Sequence, residues 1–153
     1  FARRGLSLIE TVMVVLVLSI AIPPSLTIVD HAVEIRADAV SLTRATALAN
    51  GIMEHVLADV HSEHASLGFA AMIDDAAYIE GLNTRIAPLA DAMQPFGVTA
   101  RVIVGPLADA SGTVSGDGGA DLFRVVRVEV DYPSAAAGTQ TLALECVVTG
   151  FGL

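Results

Sequence analysis

His55, His61, Glu63 and His64 fall close together, and imidazoles beside a carboxylate are the groups that hold zinc. Their spacing is not that of an HExxH helix, and histidines facing the negative end of a helix dipole account for the cluster at least as well. The second candidate is the loop DASGTVSGDGGAD from Asp109 to Asp121, where Asp109, Asp117 and Asp121 offer oxygen ligands of the kind Ca2+ takes. It does not follow the EF-hand spacing, and a solvated hairpin loop is the better reading. Nucleophiles are poorly served: Ser115 near Asp117 has no base close in sequence, and no GxSxG is present. Cys146, the single cysteine, lies in a β-rich run and reads as a small buried hydrophobe. No GxxxxGK[ST] or GxGxxG cradles phosphate. The expectation is a chain that is not an enzyme and needs no cofactor, with Ca2+ the one ion its loop could take.

Glu10 is the carboxylate that asks most of its surroundings. After it, Thr11 to Val29 runs TVMVVLVLSIAIPPSLTIV without one ionisable side chain. That length of apolar chain, extended back through Leu6, Leu8 and Ile9, matches the roughly 20 residues that span a bilayer core. Arg3 and Arg4 precede it while Asp30 and Glu34 follow, so the positive-inside rule puts the N-terminus in the cytoplasm and the rest outside. A carboxylate this near the lipid phase costs a few kcal/mol and is functional by default. Ser7-Leu8-Ile9-Glu10 also has the form of a capping box, which explains a helix start there but not a tolerated charge. Two plainer readings compete. One is a cleaved secretory signal with Ser19-Ile20-Ala21 as its small-residue site, releasing a secreted enzyme that begins near Ile22. The other is a buried core helix, which a chain this small can hardly cover on all sides.

The whole composition agrees with a chain built partly for an apolar phase. Its 153 residues make one ordinary domain, and 54% are hydrophobic even before the 13 glycines are added, already above the usual apolar share. The 8 basic residues, all arginine, face 17 acidic ones, and a net charge of −9 argues against nucleic acid as a partner.

Beyond the apolar run, Leu26, Val29, Val33, Ala37, Val40, Leu48, Ile52, Val56 and Val60 recur at helical spacing between polar residues. The predicted helix therefore runs from about Ser7 to about Val60, its second half packed on a globular head. Between His61 and Gly97, Gly68, Gly81, Pro88 and Pro95 break the pattern into short pieces, with Asp74 or Asp75 capping one helix and Asp91 to Met93 in another. Then the period changes: 98–104, 122–130 and 141–148 are β-rich runs joined by Gly-, Pro-, Ser- and Asp-bearing connections. The expected fold class is α+β, a long N-terminal helix packed on a small three-stranded antiparallel sheet.

The run Arg3-Arg4-Gly5-Leu6-Ser7-Leu8-Ile9-Glu10-Thr11-Val12 resembles the class III signal of type IV pilins and type II secretion pseudopilins, over about 25 residues. Leu6 stands where members most often have Phe. The resemblance implies cleavage by a prepilin peptidase between Gly5 and Leu6, N-methylation of Leu6, and a salt bridge from Glu10 to the free amine of a neighbouring subunit. It also associates Pro23 and Pro24 with a break in the helix, which agrees with proline's loss of backbone hydrogen bonds. The implied organisation is 1–5 leader remnant, 6–29 membrane and polymerisation half of the helix, 30–61 amphipathic half, 62–97 connecting region, and 98–153 sheet head. The implied function is a structural filament subunit, with the small head and the lack of a cysteine pair favouring a pseudopilin or minor pilin. Its partners would be copies of itself or homologous pilins, the peptidase and an inner-membrane assembly platform. It would start in the bacterial inner membrane, head in the periplasm, and end in a periplasmic or extracellular filament. The alternative is a monomeric membrane-anchored periplasmic binding domain, in which Glu10 is incidental.

Overall fold

The computed structural model describes residues 7–62, 64, 66–114 and 122–150. Helix α1 occupies Leu8–Val60, and the chain divides into two compact units at Ala37 and Asp38, within that helix.

In the first unit every described residue is solvent-exposed. The helix opens where the sequence places its cap: the Ser7 hydroxyl accepts the Glu10 amide at 3.3 Å and the Ser7 carbonyl accepts the Thr11 amide at 3.1 Å. That is one half of the capping box. Pro23 and Pro24 do not break the helix, contrary to expectation, and the segment is helical through both. Proline's fixed φ is close to the helical value, so the geometry survives although the carbonyls of Ser19 and Ile20 have no amide four residues on. Neighbouring hydroxyls are satisfied locally. Ser19 donates to the Val15 carbonyl at 2.7 Å, Ser25 to Ala21 at 2.9 Å and Thr27 to Pro24 at 2.8 Å.

The second unit holds the core. Residues 38–60 of α1 bury Ala45, Leu48, Ala49, Ile52, Val56 and Val60, a stripe at three- and four-residue steps. A 3-10 turn at Phe69–Ile73 leads into α2, Asp75–Met93, and a second at Gln94–Phe96 leads to the sheet. Strands β1 (Thr99–Ala108), β2 (Phe123–Ser134) and β3 (Gly138–Thr149) form an antiparallel sheet in the order β1-β2-β3. Alternate residues Val102, Val104, Val126, Val128, Val130 and Val148 face the helices. The architecture is the expected α+β layout, a long helix packed against a small three-stranded antiparallel sheet.

Two details differ from expectation. The region 62–97 carries one 19-residue helix rather than separate short ones, with Gly81 and Pro88 inside it. Asp74 caps it, accepting the Ala77 amide at 3.1 Å, and Tyr78, Leu82 and Ile86 are buried against the core, so packing overrides local breaker residues. The strands are also longer than their β-rich runs. β1 continues past a register shift between Val104 and Leu107, and β2 and β3 pair as far as Ser134 with Gly138, whose φ of 73° closes the turn.

Candidate functional site

The helix residues 8–29 combine two properties that a solvated helix does not have. Their side chains are mostly large and apolar, with Leu8, Ile9, Met13, Val17, Ile20 and Ile28 all more than half exposed. Burying one such side chain is worth about 1.5–3 kcal/mol, so water is a poor surrounding for this surface. This is the one helix among the described residues long and apolar enough to cross a membrane.

Glu10 sits in the first turn of that helix, where the positive dipole end favours a carboxylate. Its amide is taken by Ser7, and its carboxylate has no partner among the described residues. Gly5 and Leu6, the expected cleavage and methylation positions, lie outside the described residues.

Of the candidate metal ligands, His55, His61, His64 and Asp109 are among the described residues. His61 Nδ1 is 2.7 Å from the Leu57 carbonyl and His64 Nδ1 is 2.8 Å from the Ser66 hydroxyl, while Glu63 is outside the described residues. No group of three His, Cys, Asp or Glu comes together among the described residues. Asp109 closes its own turn: its Oδ1 accepts the Ser111 hydroxyl at 2.6 Å and the amides of Ser111 and Thr113 at 2.8 and 2.9 Å. The Ser111 hydroxyl and then the Thr113 amide hold this carboxyl below the ordinary range. Asp117, Asp121 and Ser115 lie outside the described residues. Cys146 is half-buried in β3, and burial pushes its thiol up, away from the reactive thiolate.

Sequence reasoning missed the polar groups that tie the second unit together. Asp59 is 6% exposed and receives the Tyr78 hydroxyl at 3.0 Å and the Arg85 guanidinium. Its position on the same stripe as Ile52 and Val56 was the available signal. Arg124, also 6% exposed, donates to the Met72 carbonyl, and burial pushes its guanidinium down. On the outer sheet face, Arg101 pairs with Glu129, Arg127 reaches Glu129 at 3.4 Å, and Arg127 pairs with Glu145. No protein-family model matches the chain, and no curated protein and no solved structure matches it.

Proposed function

We propose that the chain is a structural subunit of a type IV pilus-like filament, inserted in the membrane by α1 and assembled by packing the apolar halves of these helices together. The observation that carries the reading is Glu10: a carboxylate without a partner among the described residues, at the head of a helix whose residues 11–29 carry no ionisable side chain and are all exposed. Each such charge in an apolar bundle needs an opposite one, and losing one partner strands the other. The positive-inside pattern of Arg3 and Arg4 supports an N-terminus in the cytoplasm and a head outside it. On this reading the subunit does no chemistry, and Gly5 and Leu6 are the processing positions.

Substituting Glu10 by Gln or Ala, with filament assembly scored in cells, tests it. Loss of filaments with the membrane-inserted chain still present is expected. Undiminished assembly would overturn the salt-bridge role and leave the membrane-anchored monomer as the reading. Intact mass and N-terminal sequencing of the native membrane fraction give an independent check, the expected chain beginning at Leu6 and carrying one added methyl group.

A further inference from the structure

The ion pairs on the outer sheet face form a ladder with unlike ends. It begins at Arg101 on β1, 66% exposed, passes through Glu129 and Arg127, and stops at Glu145 on β3, 46% exposed. β1 and β3 are also the two open edges of the sheet. An edge strand presents a row of N–H and C=O groups whose natural partner is another strand, and proteins usually guard it with proline, bulges, short length or charge. Here Thr99 to Val104 of β1 holds neither proline nor register shift, both falling beyond it at Pro106 and between Val104 and Leu107. Ala143 to Val148 of β3 pairs with β2 without a shift and has Glu145 as its one charge. Among the described residues no backbone bond from outside the sheet reaches either stretch.

We infer that the β3 edge of one copy accepts the β1 edge of the next as a parallel strand, with Glu145 opposite Arg101 of the neighbour. β1 and β3 run in the same direction within the sheet, since each is antiparallel to β2. A neighbour in the same orientation therefore presents its β1 parallel to this β3. The register that aligns the two charges sets Val147 beside Ile103 on the outer face. It sets Leu144, Cys146 and Val148 beside Ala100, Val102 and Val104 on the inner face. Leu144 and Cys146 are incompletely covered within one chain, and the added strand extends the apolar layer over them. Relative to an unshifted copy the neighbour is offset by two residues, about 7 Å along the strand. The contact is heterologous, so it propagates instead of closing on a two-fold, and its copies are all oriented alike, as chains entering one membrane are. It goes beyond the helix-borne assembly proposed above and does not depend on Glu10.

Disulfide trapping in the full-length chain with Cys146→Ser tests it. Val147→Cys and Ile103→Cys are carried on separately tagged copies, both at exposed positions, and directly opposed strand residues lie within disulfide reach. Oxidation of membranes holding both variants is expected to yield a mixed covalent dimer, absent from membranes holding either variant alone. A dimer from Val147→Cys alone would show a two-fold β3 to β3 contact and overturn the proposal. A third variant, Val17→Cys, reports contact between apolar helices separately. Dimers at Val17 with none in the mixed sample overturn the edge contact and leave the filament reading standing, and dimers at neither overturn both.

Discussion

Asp38 clasps the turn between β2 and β3, its carboxylate accepting the Ser134 hydroxyl at 3.1 Å and the Ala135 amide at 2.6 Å. The two residues are 96 apart in sequence, and Asp38 is the first residue of the second compact unit. The core proper starts a little later on the same helix, at Ala45. The clasp therefore fixes the hairpin tip to α1 where apolar packing has not yet begun.

Asp38→Ala removes a charge-assisted pair of hydrogen bonds at a half-exposed position, and the expected loss is about 1 kcal/mol. Thermal unfolding should shift down by roughly 4 °C. Amide exchange should quicken first at residues 135–138, and unchanged exchange there would show that the turn holds itself.

Within the buried network, removing Asp59 and removing the Tyr78 hydroxyl differ in what they leave behind. Asp59→Ala strands the Tyr78 hydroxyl and the Arg85 guanidinium, whose Nε already has no hydrogen-bond partner among the described residues, and should cost about 2–4 kcal/mol. Tyr78→Phe removes one hydroxyl and should cost about 1 kcal/mol. A double-mutant cycle by urea unfolding is expected to show that the losses do not add, because Asp59 and Tyr78 share one bond.

Alkali should weaken the fold through two identified groups. Burial, then the charge of Asp59, holds the Tyr78 hydroxyl above its ordinary value of 10.0, and burial holds the Cys146 thiol above 9.0. For both, the unfolded chain releases its proton first, so stability is complete below these values and falls as pH rises past them. Unfolding free energies measured between neutral pH and pH 11 should decline first above about pH 9 and more steeply above about pH 10. Cys146→Ser should flatten the first part and Tyr78→Phe the second. The sequence has no lysine to add an amine titration in that window.

Replacing Pro23 and Pro24 together by Ala restores amide donors to the carbonyls of Ser19 and Ile20. Each change also removes about 3 kcal/mol of intrinsic helix penalty. Hydrogen exchange of the full chain in detergent micelles should slow across residues 20–28. Equal exchange in both forms would mean that the prolines do not weaken the helix they lie in.

The one-dimensional features of the chain were legible because they are local. Ser7 caps the helix, the apolar run is a helix, the three-four spacing from Leu48 to Val56 marks the buried stripe, and the valine-rich runs are strands. Each rests on neighbours within a few residues, where steric preference and hydrophobic period speak directly. The single α2 was not legible, since Gly81 and Pro88 are local breakers overruled by the burial of Tyr78, Leu82 and Ile86. Nor were the full strand lengths, because a strand continues as far as its partner offers hydrogen bonds, and Pro133 is carried along by its pairing with Thr139.

The amino-acid sequence by itself determined that this protein has an apolar helix headed by a carboxylate and a separate mixed head, because hydropathy and charge order are properties of the chain. Only the tertiary structure decided which polar groups meet: Asp38 with Ser134, Asp59 with Tyr78 and Arg85, Arg124 with Met72. It also decided that a ladder of alternating charge runs from one open edge of the sheet to the other. The pairings of Asp38, Asp59 and Arg124 span 19 to 96 residues, and a side chain's partner at that separation is set by where packing of the core leaves its element.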